Sequence, residues 1–324
     1  MMTPLEKITL AHQADLDRLN ARIAKRLESA NPMMSGIVMS LLRTKGKQLR
    51  PLLLIMCAKI FGEVDQKVLA AAAAVELLHN ASLIHDDVVD NSDTRRNAPT
   101  VNAVWDNHVA VLVGDFFTSS AMQEAISTGD IRIIDTLCLL GRDLSLGEID
   151  QIDNARGHNI DCPSYFRIVD YKTASLFVSA ARMGCLAAGA SDVATESLAE
   201  YALLFGRCFQ IRDDIFDYFR SDAVGKPTGN DLREGKVSLP LLLALDRDAP
   251  GRDEIAELLK KDSLTDAEID RIQNFARSNG GIDGAYAVMR DLRRQACERL
   301  AAIPDGDVRR QLAELFDFVI ERQY

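Results

Sequence analysis

The stretch Glu76-Leu77-Leu78-His79-Asn80-Ala81-Ser82-Leu83-Ile84-His85-Asp86-Asp87-Val88-Val89-Asp90 decides the fold and opens the chemistry. It closes a run, Lys67 to Asp90, in which apolar residues recur every three or four positions, the period of a helix with a buried face. At four residues apart, Asp86 and Asp90 project from one side of that helix and repel each other. Two carboxylates on an otherwise apolar face call for a counter-ion. No cysteine joins them, and hard oxygen ligands suit magnesium, which takes one or two carboxylates and fills its shell with water and substrate phosphates.

The pattern returns as Gln210-Ile211-Arg212-Asp213-Asp214-Ile215-Phe216-Asp217, at the end of a second helical run from Glu196 to Phe219. One Asp-Asp-x-x-Asp is short enough to arise by chance and reads equally well as solvated helix-end carboxylates. Two of them, each ending an apolar helix, do not.

Basic residues accompany both. In Lys45-Gly46-Lys47-Gln48-Leu49-Arg50-Pro51, Lys47 and Arg50 lie one helical turn apart, in reach of a single anion. Alone, this is an ordinary surface patch. Arg95 and Arg96 follow the first acidic run, Lys172-Thr173 sits in the apolar run Tyr171 to Ala181, and Lys226 and Lys236 lie in and around the loop that follows the second acidic run. His79 lies seven residues before Asp86, two turns away on nearly the same face, placed to donate to a phosphate. His12, His85, His108 and His158 read as structural.

Elsewhere the 324 residues hold 47% hydrophobic side chains, enough for a large core, and alanine- and leucine-rich segments between scattered prolines give an all-α chain without a low-complexity linker. The expected organisation is one domain over 1–324, a helical bundle. A formal charge of −10 argues against nucleic acid. The six cysteines are dispersed, without a C-x-x-C pair, as expected in a reducing compartment. The start carries no apolar leader, and charges interrupt the most apolar stretches, Val68 to Val75 and Val237 to Leu245, before the ~18 residues of a membrane span. A cytoplasmic protein without a transmembrane segment is expected. Asp222 to Gly235 is the clearest loop and is placed to act as a lid.

The run Glu76 to Asp90 with Arg95-Arg96, continued by Val113-Gly114-Asp115, Lys172-Thr173, Gln210 to Asp217 and Gly225-Lys226-Pro227-Thr228-Gly229-Asn230-Asp231, closely resembles the trans-isoprenyl diphosphate synthases (polyprenyl synthetases), in that family's order over nearly the whole chain. The resemblance implies the isoprenoid synthase fold, all-α around a central cavity, homodimers, and three magnesium ions held between an allylic diphosphate and the six aspartates Asp86, Asp87, Asp90, Asp213, Asp214 and Asp217. It implies that Arg95, Lys172, Thr173, Gln210, Lys226 and Lys236 hold the allylic diphosphate. Lys47, Arg50, His79 and Arg96 match the isopentenyl diphosphate site. Lys45 departs from the family's usual glycine, and Arg322 alone represents its basic C-terminus.

Ionising an allylic carbon–oxygen bond leaves charge on the departing diphosphate, so preorganised cations are the main catalytic device. The carbocation alkylates isopentenyl diphosphate, and the released diphosphate takes the proton, as in the family. The product grows back along the helix. Ala81 and Ser82, roughly 6–8 Å below Asp86 at ~1.5 Å per residue, are the first candidates for a tunnel floor. Both are small, and Leu78, Val75 and Ala71 continue the face, so a deep tunnel and a medium- or long-chain product, of the octaprenyl type used in quinone side chains, are expected. Three alternatives stand beside this: a short-chain farnesyl or geranylgeranyl diphosphate synthase; a terpene cyclase, which needs no isopentenyl diphosphate site; and a non-catalytic partner subunit, a class that tends to lose aspartates.

Overall fold

The computed structural model describes residues 2–44, 46–157, 161–219, 229–261 and 263–322. Helices run in the order α1 (Pro4–Ala11), α2 (Gln13–Arg26), α3 (Pro32–Arg43), α4 (Leu49–Lys59), α5 (Gln66–Val89), α6 (Val101–Val104), α7 (Asn107–Ser127), α8 (Ile131–Arg156), α9 (Cys162–Val169), α10 (Ser175–Ala187), α11 (Asp192–Asp217), α12 (Asn230–Arg233), α13 (Leu239–Leu245), α14 (Arg252–Leu258), α15 (Asp266–Ser278), α16 (Gly281–Leu300) and α17 (Asp307–Glu321). The protein is all-α, as its periodicity predicts.

Two local features depart from plain α-helix, and both carry basic residues of interest. Between α5 and α6, β1 (Thr94–Arg95) pairs antiparallel with β2 (Ala98–Pro99), Arg95 opposite Ala98. Between α9 and α10, residues Asp170–Ala174 form a π-helical turn.

The chain divides into two compact units: residues 1–142, 176–199 and 302–312, and residues 143–175, 200–301 and 313–324. In the first, α5 is the central element. The Asp65 side chain caps it by accepting from the Val68 amide, and the small residues Ala70 to Ala74 are all buried, which lets neighbouring backbones approach closely. By length and hydropathy α5 would serve as a membrane span, its one charged interior residue, Glu76, notwithstanding, but 78% of its most apolar window is buried in the protein. It is a core helix.

The same unit packs α4 so deeply that Leu52 through Ala58 are wholly buried. A Cβ on Gly184 of α10 would stand 2.4 Å from the Leu54 carbonyl, so that glycine is what allows α10 to lie against α4. The second unit has its own core of Tyr218, Leu232, Leu241, Ala244, Ile255, Ile269, Ile272 and Phe275. Each unit therefore buries enough apolar surface to hold its own acidic cluster in place.

Candidate functional site

In the first unit, the end of α5 presents the first acidic cluster. Asp86 is half-buried and Asp90 exposed, one helical turn apart, whereas Asp87 is buried and paired with Arg95 at 2.7 Å. The charge of Asp87 is thereby committed to the ribbon. His85 turns away toward α7, its ring filling the space that a side chain at Gly114 would occupy, 3.3 Å from the Val111 carbonyl.

The ribbon explains how two consecutive arginines are aimed. Arg96 and Asn97 link β1 and β2 with φ of 53° and 59°, both left-handed, as a two-residue type I′ hairpin turn requires. Arginine is a costly occupant of that position. Its guanidinium donates to the Thr44 carbonyl at 3.1 Å and lies over Gly46, where a Cβ would sit 2.5 Å away. Arg95, Arg96, Thr44, Asn80 and Asp87 line a small cleft of about 60 Å³.

Nearby, Gln48 adopts φ 48° at the start of α4 and exchanges amide contacts with Asn20, which fixes the turn between the exposed Lys47 and the half-buried Arg50. Arg50 lies over the Phe177 ring at 4.9 Å. His79 is buried, and burial together with the charges of Arg50, Arg96 and Arg95 holds its imidazole well below the ordinary value, hence neutral. Its Nδ1 is buried and has no hydrogen-bond partner among the described residues, the mark of a group awaiting a ligand. Ala81 is buried and Ser82 half-buried, its hydroxyl bonded back to the His79 carbonyl.

In the second unit, a cavity of about 220 Å³ is lined by Gln151, Tyr165, Lys172, Thr173, Gln210, Asp214, Asp231 and Lys236 among others. It admits several water-sized groups, room for a diphosphate headgroup. The π-turn sets its wall. Asp170 pins the turn to α11 through a two-pronged pair with Arg207 (2.7 and 2.6 Å), and Gly147 of α8 admits the Lys172 amide, which would lie 2.9 Å from a Cβ there. Lys172 then reaches Glu148 at 2.5 Å and Gln151 at 3.3 Å.

A chain of hydrogen bonds crosses the floor. The Thr173 hydroxyl donates to Gln210 (2.8 Å), the Gln210 amide donates to Asp214 (2.8 Å), and the Tyr165 hydroxyl donates to the other Asp214 oxygen (2.5 Å). Burial, then the neighbouring Asp231, pushes the Asp214 carboxyl up to about 8; burial, then Asp217, raises Asp231 to about 6. Two buried acids lining one cavity, Asp231 disfavouring the ionised form of Asp214, make a site that gains from a cation.

Asp217 lies close to Asp231 and is hydrogen-bonded to the start of α12. Its carboxylate accepts from the Gly229 amide at 2.9 Å and from the amides of Asn230 and Asp231, closing the start of α12. The carboxylate expected as a ligand also fastens the start of α12. Asp213 pairs with Arg322 at 2.5 Å. Lys236 contacts Glu234. Lys226, His158, Lys45 and residues 222–228 of the expected lid lie outside the described residues.

Among the described residues, no three carboxylate, histidine or thiol side chains converge as a ready-made ion cage. The acidic pairs instead fit an ion that brings water and substrate oxygens with it, as magnesium does. Tyr165, Glu148, Gln151 and Asp231 were not legible as site residues; only Asp231, inside Gly-Asn-Asp, carried a local signal.

Against known proteins, residues 31–276 match the polyprenyl synthetase family model. The chain is 35% identical to the nonaprenyl diphosphate synthase of Mycobacterium tuberculosis, over 96% of this chain and 93% of that one. Among solved structures it resembles a polyprenyl synthase from Caulobacter crescentus complexed with calcium and isoprenyl diphosphate (TM-score 0.92, 33% identity, 99% and 98% of the two chains). It likewise resembles a decaprenyl diphosphate synthase from Rhodobacter capsulatus (TM-score 0.91, 31% identity, 98% of each). With the acidic clusters, the two-arginine hairpin and the lysine-lined cavity all present, the chain belongs to the polyprenyl synthetase family.

Proposed function

We propose that the protein is an all-trans polyprenyl diphosphate synthase that extends an allylic diphosphate such as farnesyl diphosphate with successive isopentenyl diphosphates. The observation that carries this is the second unit's cavity, where Lys172, Thr173 and Lys236 surround diphosphate-sized space floored by Asp214 and Gln210. Arg95 and Lys226 join them in holding the allylic diphosphate. Lys47, Arg50, His79 and Arg96 hold isopentenyl diphosphate, the neutral imidazole donating without adding a fourth charge among three cations.

Divalent metal dependence fits the buried acid pair. Magnesium, three ions per site, is the proposed metal, held by Asp86, Asp87, Asp90, Asp213, Asp214 and Asp217; it would supply charge to stabilise the departing diphosphate. Asp87 orients Arg95, and Asp217 secures α12 and with it Asp231. The catalytic domain is taken to cover 1–324, and the assembly to be a cytoplasmic homodimer. Exposed Leu112, Met122 and Ile126 on α7 support the dimer, being large apolar side chains at the surface.

A long-chain product for quinone side chains is proposed from Ala81 and Ser82, neither of which bars the way back along α5 toward Leu78, Val75 and Ala71. Ala81→Phe or Ser82→Phe shortens the product when the variants are run with farnesyl and isopentenyl diphosphates and the chain length read by chromatography. Unchanged length in both removes the tunnel assignment.

A further inference from the structure

One basic residue in the second unit is buried in the fold rather than set on its surface. Arg322, immediately after α17, has a side chain only 7% exposed. Its guanidinium lies 4.3 Å from the Phe209 ring and 5.5 Å from the Phe216 ring, and donates to the Phe209 carbonyl at 3.2 Å. The Nη2 that makes this bond also donates to Asp213 Oδ1 at 2.5 Å, while Nε is buried without a hydrogen-bond partner among the described residues.

The preceding residue of the acidic run completes a reciprocal grip. Arg212 donates from Nε to the Arg322 carbonyl at 2.9 Å and again from Nη2, contacts the Tyr286 hydroxyl, and stacks over Phe216 at 4.4 Å. Arg212 therefore holds the Arg322 main chain while Asp213 takes its side chain. A surface arginine chooses its partner at a cost in side-chain entropy. This one has paid that cost in the packing of α17, so its charge stands at a fixed point beside Asp213, whose own side chain is 42% exposed.

We propose that Arg322 is a positioning residue for Asp213: from the end of α17 it fixes the first carboxylate of the second acidic cluster in the orientation that receives the metal–diphosphate. The proposal rests on the synthase reading above. Partners that orient a metal-ligating carboxylate are worth about 10–100-fold in metal affinity or activity. Lysine offers charge without the planar fork, so it substitutes only in part.

The test is Mn²⁺ binding in the presence of inorganic diphosphate, followed by electron paramagnetic resonance, on the full chain and its Arg322→Leu, Arg322→Lys and Asp213→Asn variants, alongside KM for isopentenyl diphosphate. Arg322→Leu keeps an apolar body between the rings. It is expected to weaken Mn²⁺ binding about tenfold with KM for isopentenyl diphosphate unchanged, Arg322→Lys to recover part of the loss, and Arg322→Leu to add nothing in the Asp213→Asn background. Unchanged or tighter Mn²⁺ binding in Arg322→Leu overturns the proposal, as does a full additive loss in the Asp213→Asn background, which would mean general loosening. If Arg322→Leu shows no cooperative melt, Arg322→Lys decides, and wild-type Mn²⁺ affinity there overturns it. A wild-type chain that neither binds Mn²⁺ nor elongates defeats the synthase reading instead.

Discussion

The Tyr165 hydroxyl donates to Asp214 across 2.5 Å, joining α9 to the second acidic cluster on α11. Both groups are buried, and burial followed by the nearby Asp214 charge pushes the Tyr165 phenol well above its usual range, so it remains a donor at every working pH. Tyr165→Phe deletes this donor and little else. Losing it from a buried carboxyl costs about 1–2 kcal/mol of stability. The variant is expected to lose roughly tenfold in kcat/KM for the allylic diphosphate, the equivalent of about 1.4 kcal/mol, while KM for isopentenyl diphosphate stays put. Steady-state kinetics with each substrate varied in turn checks this, and a change confined to isopentenyl diphosphate contradicts it.

Arg96 occupies a left-handed turn position that glycine would fill without strain. Arg96→Gly relieves about 1 kcal/mol of backbone cost and forfeits one exposed hydrogen bond to the Thr44 carbonyl, worth about 0.5–1.5 kcal/mol. The two nearly cancel. Thermal unfolding should therefore barely move while KM for isopentenyl diphosphate rises at least about tenfold, as for a lost charge-assisted contact. A collapse in melting temperature with normal KM would make the residue structural.

His12 gives the protein an acid-sensitive joint. It is buried at the start of α2, its Nε2 2.9 Å from Gln311 Oε1 and its Nδ1 3.2 Å from the Lys59 ammonium, which also pairs with Asp15 at 2.7 Å. These partners assign the proton to Nε2 and leave Nδ1 accepting. Burial lowers the imidazole's pKa, Lys59 lowers it further, and Gln311 and Asp15 oppose them. Because the folded pKa lies below the unfolded value of 6.5, the unfolded chain takes up the proton first, and stability is lost as pH falls below about 6.5, levelling once pH passes the folded value. His12→Gln removes that component. Denaturant melts at several pH values between 7.5 and 5 should show a shallower acid loss in the variant; an identical slope in both proteins contradicts the assignment.

The helical period of Lys67 to Asp90 and Glu196 to Phe219 was enough to read an all-α chain and to place both acidic clusters at helix ends, because burial of a repeating apolar face is a local property. The pairings that shape the site are not local. Tyr165 meets Asp214 across 49 residues and Arg322 meets Asp213 across 109, distances at which registering one helix against another decides the contact. The hairpin escaped notice because two-residue strands have no periodicity to read, and its turn is held in part by Arg96, a residue that turn statistics disfavour. The π-turn at Lys172 rests on Gly147 of α8 and on the pairing of Asp170, inside the turn, with Arg207 of α11, two partners remote in sequence. Asp217 adds a contact that its motif position does not announce: its carboxylate accepts from the Gly229 amide at the start of α12.

The most direct measurement incubates the full chain with farnesyl diphosphate, isopentenyl diphosphate and Mg²⁺, with a parallel reaction in chelator, and separates the products by chain length. The account predicts linear prenyl diphosphates extended by several isopentenyl units, formed only with the metal. Cyclic hydrocarbon, a product stopping after a single addition, or no turnover with both substrates present would contradict it.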